Sequence, residues 1–504
     1  MKLTHKNLPF FCLCLMLLGV KAESLLAQPK PIKYPTVQAA LTQMDNDAEL
    51  QSAIWGYYVK SVSDGEVIAA YNPMKSLRPA SALKVLTTTA ALSVLGPDYT
   101  FSTKIEYDGV IDGNGVLQGN LYITGGGDPT LATNRSDMAT PYKAVLNQWV
   151  TAIQQRGITK IEGRVIGDAG YFPDDMIPKT WIWEDIGNYY GAGVSGLNFH
   201  ENRYDLILSS GKTGAPTKIV NILPEVPGLQ ITNDVASGSV GVGDQAYIYG
   251  SPFNLACVAR GVIPPNQSNF VIRGSVPEPA HYAAFCLQQA LEQLNILVSQ
   301  PATTVRQLTL SENYKSQQRY MLYVNSSPPL SKIVYWCNKR SINLFAETLL
   351  REMGEKQYGK GTIDNGVKAV KQFWQNRGID LHGLILCDGS GLSPSNAISA
   401  RQLTEVMASY ASDLNFNAFY KSLPVAGDAS DDGFMKSFMN NKASSGKVNA
   451  KSGYISNNRA YTGYIKTKSG RLLAFTVMVN NYSCSNSAVK KKIEDLLLPL
   501  TLLD

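Results

Sequence analysis

Histidine is scarce, with four in 504 residues, and only His200, His281 and His382 lie beyond the N-terminal region. None stands at metal-ligand spacing or in a recognisable catalytic context. A histidine-held metal and a Ser-His-Asp triad therefore both lack material, and no motif implies a cofactor. Cysteine is sparse too. Of the seven, Cys12 and Cys14 fall in an N-terminal apolar run, while Cys257, Cys286, Cys337, Cys387 and Cys484 are widely and irregularly spaced, with no C-x-x-C pair. That excludes a disulfide scaffold and a zinc site. The five are read as buried thiols, with one bridge as the alternative. No Lys/Arg block is dense enough for nucleic acid. The net charge of +6 over so long a chain supports only a weak preference for anionic surroundings. There is no internal repeat and no apolar run comfortably long enough to span a membrane. A hydrophobic fraction of 44% with 17% charged residues excludes disorder and suits a globular protein of several domains.

The N-terminus carries the first positive signal. Lys2, His5 and Lys6 precede the apolar stretch 8–20, and small residues follow at Ala22 and Ala27. This is the pattern of a secretory signal peptide. Cleavage is expected after Ala27, leaving Gln28 first, with Ala22 as the alternative site and an uncleaved anchor as the alternative fate. Neither Cys12 nor Cys14 follows a lipoprotein pattern. The mature chain is expected in the periplasm or cell envelope.

Further along, 54–62 and 66–71 flank Asp64-Gly65 and predict a hairpin. Pro79-Ala80 leads into a helix expected over 81–95, closed by Gly96-Pro97 and apolar on nearly every side, hence buried. From about 101 to 310, short strand-like pieces alternate with glycine turns, with helices at 141–157 and 281–294. The part 171–275 is read as a mostly β insert. Helical periodicity returns at 330–338, 344–353, 365–378 and 401–412. A hairpin follows at 460–466 and 472–480, then a last helix at 487–498. The apolar face of that helix is read as packing on the adjacent sheet, so any membrane contact would be peripheral.

The chemistry concentrates in three triplets. In Ser81-Ala82-Leu83-Lys84, positions i and i+3 share a helix face, which brings hydroxyl and amine together. A serine needs a base to become a nucleophile. A lysine buried among apolar residues can be that base, because desolvation lowers its pKa. Ser341-Ile342-Asn343 supplies S-x-N just before an apolar helix. Lys451-Ser452-Gly453 supplies K-S-G, placed just before the last strand pair. S-x-x-K recurs by chance in long chains; the three triplets in this order are far more specific and form the signature of penicillin-binding proteins and class A β-lactamases.

On these residues the chain resembles a known family. Pro79 to Thr87 looks like its nucleophile block, and Ser326-Ser327-Pro328-Pro329-Leu330 followed by Arg340 to Glu347 looks like its second block. Asp388-Gly389-Ser390-Gly391-Leu392-Ser393, Leu423-Pro424-Val425-Ala426-Gly427 and Gly125 to Leu131 match further segments. The family is the low-molecular-mass class C penicillin-binding proteins, which are D-alanyl-D-alanine carboxypeptidases and endopeptidases. The resemblance spans roughly 35–495 and is thin between about 200 and 275. The interval of 260 residues between Ser81 and Ser341 resembles the large insert of that class rather than the short interval of β-lactamases.

The resemblance implies an α/β (α+β) fold: a penicillin-binding, β-lactamase-like transpeptidase domain, with an antiparallel sheet covered by helices, split by a nested β-rich two-domain insert. Its expected division is 28–100 plus 311–504 for the catalytic domain, 101–170 plus 276–310 for the first insert domain and 171–275 for the second. The implied roles are Ser81 as nucleophile, Lys84 as base and Ser341 as proton relay. Asn343 would bind the substrate amide, and Lys451 and Ser452 the terminal carboxylate. Gly453 belongs to the same motif, and the backbone N–H groups of Ser81 and Tyr454 would form the oxyanion hole. Two positions depart from the family pattern. Ile342 stands where Asp is usual, and Tyr454 replaces a small side chain beside the pocket. Asp168 falls where the family has an aspartate reaching the active site from the insert, which implies a grip on the amine of a diamino acid; a turn aspartate is the other reading. Trp181, Trp183, Tyr189 and Tyr190 are read as core packing ahead of sugar or peptide stacking. The implied partners are peptidoglycan stem peptides and cross-links, with β-lactams as covalent inhibitors. The rivals are a β-lactamase, a non-hydrolytic penicillin-binding sensor and an unrelated β-rich surface protein. Carboxypeptidase and endopeptidase stay unseparated, and so does the oligomeric state.

Overall fold

The computed structural model describes residues 33–504 apart from 136, 137, 139, 312 and 313. The signal-peptide reading, with Ala22 and Ala27, lies outside the described residues.

A five-stranded antiparallel sheet forms the centre, in the order Val67–Tyr71, Ile54–Ser61, Leu472–Asn480, Asn458–Lys466, Val448–Ile455. The expected hairpin at Asp64-Gly65 is present, with Gly65 at φ 72° in the turn. Leu472–Asn480 is buried almost throughout, because both faces of the sheet are covered. Successive side chains point to opposite faces. Leu473, Phe475, Val477 and Val479 therefore meet the helix Asn486–Thr501 through Ile493, Leu496 and Leu497. Ala474 and Met478 join the opposite core with Leu83, Leu86, Phe345 and Met407. The last helix thus packs its apolar face on the sheet, as expected, and no helix among the described residues is long and apolar enough to cross a membrane.

The helix Lys84–Leu95 runs through that second core, with residues 84–92 all buried. Its run of threonines is tolerated because the hydroxyls find acceptors: Thr88 Oγ1 donates to Lys84 O (2.8 Å) and Thr87 Oγ1 to Gly389 O (2.8 Å). Around it pack Leu330–Arg340, Asn343–Tyr358, Ile363–Asn376 and Ala400–Tyr410. All four agree with the helical periodicity.

Residues between the first two motifs build a second core. A five-stranded sheet, in the order Thr303–Thr304, Val165–Asp168, Leu121–Thr124, Ser102–Tyr107, Tyr320–Ser326, is covered by Pro279–Glu292. Two three-stranded sheets lie within 203–275. The strand Tyr320–Ser326 pairs antiparallel with Ser102–Tyr107, so this sheet recruits chain beyond residue 310.

Candidate active site

Ser81 lies half-buried in a single 3₁₀ turn, Ala80–Leu83, and not in the first turn of an α-helix; the α-helix begins at Lys84. Ala80 sits at φ 46°, a left-handed conformation that a non-glycine residue adopts only when its surroundings impose it. The i, i+3 relation survives the tighter turn. Lys84 Nζ donates to Ser81 Oγ at 3.1 Å, and also to Asn343 Oδ1 at 2.6 Å and the Ser390 carbonyl at 2.7 Å. Lys84 is fully buried, and that desolvation lowers its pKa to about 8, against the pull of Cys337, Asp388 and Glu347.

The second triplet spans a junction between helices. Ser341 caps Leu330–Arg340 in the left-handed region (φ 56°, ψ 40°), and Asn343 opens Asn343–Tyr358. Asn343 Nδ2 donates to the Tyr190 carbonyl (2.8 Å), which ties the amide to the insert. Ile342 packs against the apolar core, a physical reason for an apolar residue where the signature has Asp.

The third triplet lies inside a strand, Val448–Ile455, at the edge of the central sheet and directly before the last strand pair, as expected. Lys451 is buried, with Nζ donating to the Ser452 carbonyl (2.8 Å). Burial first, and the Lys84 charge second, hold its pKa well below the usual lysine value. Gly453 lets the strand reach the turn that carries Ser81: a Cβ there would lie 2.3 Å from Pro79 O and 3.0 Å from Ser81 N. Tyr454 turns its ring toward Arg459 (5.0 Å), and its hydroxyl accepts from Asn486 Nδ2 (3.0 Å).

Beneath this cluster lies a device that the sequence reading matched as a segment but gave no role. Glu347 accepts the N–H groups of Gly389 and Ser390 (2.7–3.1 Å), and the Ser390 carbonyl holds Lys84. Asp388 is wrapped by donors from Gly391, Ser393, Asn396 and Trp181 (2.6–2.9 Å). Burial, reinforced by Asp388, pushes the Glu347 carboxyl above the usual range. A serine between two glycines gives no warning in sequence that its carbonyl will meet an amine 306 residues away.

Ser81, Ser341, Asn343 and Tyr454 line one cleft of about 980 Å³. Lys451, Ser452 and Gly453 are not among its lining residues. Asp168 is not among the lining residues. It ends Val165–Asp168, and its carboxylate accepts from Arg319 Nη1 (2.7 Å) and Gly170 N (3.0 Å). The acids that do line the cleft are Glu184, Asp185 and Glu201. The aromatic cluster read as core divides. Trp181 is core, but Trp183 and Tyr189 are exposed, and Tyr189 and Tyr190 face the cleft. All five cysteines beyond the N-terminal region are free; Cys257, Cys286 and Cys337 are buried, Cys387 and Cys484 half-buried.

Comparison with known proteins comes to the same point. The profile of the D-Ala-D-Ala carboxypeptidase 3 (S13) family matches residues 37–500. A D-alanyl-D-alanine carboxypeptidase of Actinomadura sp. (strain R39) is 27% identical over 470 residues, covering 92% of this chain and 84% of that protein. The D-alanyl-D-alanine carboxypeptidase DacB of Haemophilus influenzae is 26% identical, covering 87% of each chain. The crystal structure of penicillin binding protein 4 (dacB) from Haemophilus influenzae superposes with a TM-score of 0.77 at 24% identity, over 93% of this chain and 99% of that one. It shares the fold.

Proposed function

Because the chain belongs to the D-Ala-D-Ala carboxypeptidase 3 (S13) family, and is thus a serine-type D-Ala-D-Ala carboxypeptidase, we propose that Ser81, Lys84 and Ser341 carry out its acyl transfer. The observation that carries this assignment is the set of three contacts at Lys84 Nζ. A neutral lysine has two N–H bonds. With one given to Asn343 Oδ1 and the other to the Ser390 carbonyl, the lone pair is left for the Ser81 hydroxyl. With a pKa of about 8, roughly a tenth of the molecules hold that neutral form at pH 7.

Ser81 Oγ attacks the carbonyl carbon between the two D-alanines and passes its proton to Lys84. The oxyanion is met by the backbone N–H groups of Ser81 and Tyr454; only the backbone of Tyr454 is needed, and its side chain is drawn aside by Asn486 and Arg459. Ser341 relays a proton to the departing amine of the terminal D-alanine, while Asn343 binds the substrate amide. Lys451 and Ser452 hold the terminal carboxylate. Water then cleaves the acyl-enzyme. In a β-lactam the leaving amine stays tethered through the acyl group, so the ester persists. A grip on a free amine of the peptide, which the resemblance suggested for Asp168, falls better to Asp185, which lines the cleft and receives the Tyr190 hydroxyl. The substrates are peptidoglycan stem peptides and cross-links in the cell envelope; the secretory pattern at residues 1–27 supports that location.

The test is labelling of residues 28–504 with a fluorescent penicillin on a denaturing gel, beside Ser81→Ala, followed by assay of D-alanine release. A covalent band that disappears in the mutant supports the assignment. Penicillin consumed without a band would favour a β-lactamase, and neither band nor consumption would refute the nucleophile.

A further inference from the structure

Of the six tryptophans, Trp55, Trp149, Trp181, Trp336 and Trp374 are buried, whereas Trp183 is 62% exposed. It is not a loose side chain. It opens the short helix Trp183–Ile186, which is fastened to the strand Gln245–Ser251. The Asn188 amide joins the two, donating to the Glu184 carbonyl (2.6 Å) and accepting from Ile248 N (3.0 Å). Gly187 lets the backbones meet, since a Cβ there would lie 1.9 Å from Ile248 O. The Trp183 ring lies 4.8 Å from that of Tyr249, whose hydroxyl donates to Glu184 Oε1 (3.3 Å). An exposed aromatic pair held this firmly marks a contact surface.

Trp183 and Tyr249 line a groove of about 390 Å³, formed against the sheet of Gln230–Ser237, Asn254–Ile263 and Gln245–Ser251. Gln230, Thr232, Ser251 and Asn254 add amides and hydroxyls, and no Lys, Arg, His, Asp or Glu is among the lining residues. A groove without charge offers nothing to offset the desolvation of a phosphate, a carboxylate or an ammonium. Aromatic faces beside neutral donors and acceptors suit a pyranose, whose faces are C–H and whose rim carries hydroxyl and amide groups. The groove also adjoins the catalytic cleft. Ile182 and Glu184, on either side of Trp183, line that cleft. So does Tyr247, two residues along the strand from Tyr249 and therefore on the same face of it. We propose that the groove is a glycan subsite, which holds an amino-sugar ring of the peptidoglycan strand against Trp183 while the peptide borne by that strand enters the cleft. This rests on the carboxypeptidase reading and adds to it a preference for peptides still attached to their glycan.

The experiment uses residues 28–504 and two substrates with one and the same stem peptide ending in D-Ala-D-Ala, free in one and attached to a glycan fragment in the other. The wild type is expected to favour the glycan-linked substrate in kcat/KM. Trp183→Ala should cut that preference about five-fold, the size of one aromatic contact, chiefly through KM and with turnover of the free peptide unchanged. Trp183→Phe should restore part of it, and added salt should leave the preference intact, because the groove has no charge to screen. In parallel, Ser81→Ala is titrated with a neutral tetramer of β-1,4-linked N-acetylglucosamine. Saturable binding is expected, and its loss when Trp183→Ala is added. A wild type without preference, a preference that survives Trp183→Ala, or equal slowing of both substrates by that variant overturns the proposal. Failure of the wild type to release D-alanine from either substrate would overturn the carboxypeptidase reading instead. The saccharide titration then decides the groove alone: no binding, or binding that Trp183→Ala leaves intact, overturns the glycan subsite.

Discussion

Lys84 Nζ lies 2.6 Å from Asn343 Oδ1, a hydrogen bond between residues 259 positions apart. It joins the first motif to the second inside a core that leaves Lys84 no solvent. The proposed acyl transfer depends on that burial, since the same lysine on a surface would stay protonated and could not serve Ser81 as a base.

The pH dependence follows. Acylation needs the neutral amine, so its rate should rise about tenfold per pH unit below about 8 and level off above it. Stopped-time labelling with fluorescent penicillin across pH 6–9.5 checks this; a flat profile would remove Lys84 from the role of base. Stability moves in the same sense. Between about 8 and 10.5 the unfolded chain still binds the proton that the folded one has lost, so this group's contribution rises with pH in that window. Lys84→Met should therefore slow acylation by about 10²–10⁴-fold with little loss of Tm, since the charge it removes is one that burial disfavours.

Glu347 should act at a distance. Removing it leaves the N–H groups of Gly389 and Ser390 buried without acceptors and releases the carbonyl that holds Lys84. Glu347→Ala is expected to lose about 2–5 kcal/mol in denaturant unfolding and to slow acylation, whereas Glu347→Gln, which keeps one acceptor oxygen, should lose less of both. Equal acylation rates in the two variants would count against this chain of contacts.

Gly453 faces backbone atoms that cannot yield: Pro79 O, Ala82 N and Ser81 N lie 2.3, 2.8 and 3.0 Å from a Cβ placed there. Gly453→Ala should push the edge strand away from the nucleophile turn. We expect a loss of about 1–3 kcal/mol and a fall in acylation of roughly 100-fold, since a displacement near 1 Å can have that effect. Wild-type acylation in this variant would mean that the strand does not build the oxyanion site.

Asp168 and Asp185 should separate cleanly. Asp168→Ala breaks the ion pair with Arg319 and is expected to destabilise the protein by about 1–3 kcal/mol, with penicillin acylation within about two-fold of wild type. Asp185→Asn should instead weaken turnover of peptides carrying a free amine relative to N-acetylated ones. The reverse pattern would return the amine-binding role to Asp168.

What the sequence by itself determined was local. Ser81 and Lys84 are three residues apart, a spacing that brings them together in an α-helix and still does so in the 3₁₀ turn that forms. The helices from 330 to 410 and the hairpins at Asp64-Gly65 and between 460–466 and 472–480 were legible because their periodicity and turn residues act over a few positions. The strands within 203–275 were read less fully, because burial does not follow their apolar residues: Lys218–Leu223 is mostly apolar yet exposed along almost its whole length. Only the tertiary structure decided the rest. It turned Ser81 onto a strained 3₁₀ turn, ran Lys451 to Gly453 along an edge strand, and set Glu347 under a carbonyl that no motif marks. It also paired Asp168 with Arg319 and left Asp185 in the cleft. Each of these depends on groups hundreds of residues apart, or on backbone atoms common to every residue, and such contacts exist only once the chain has packed.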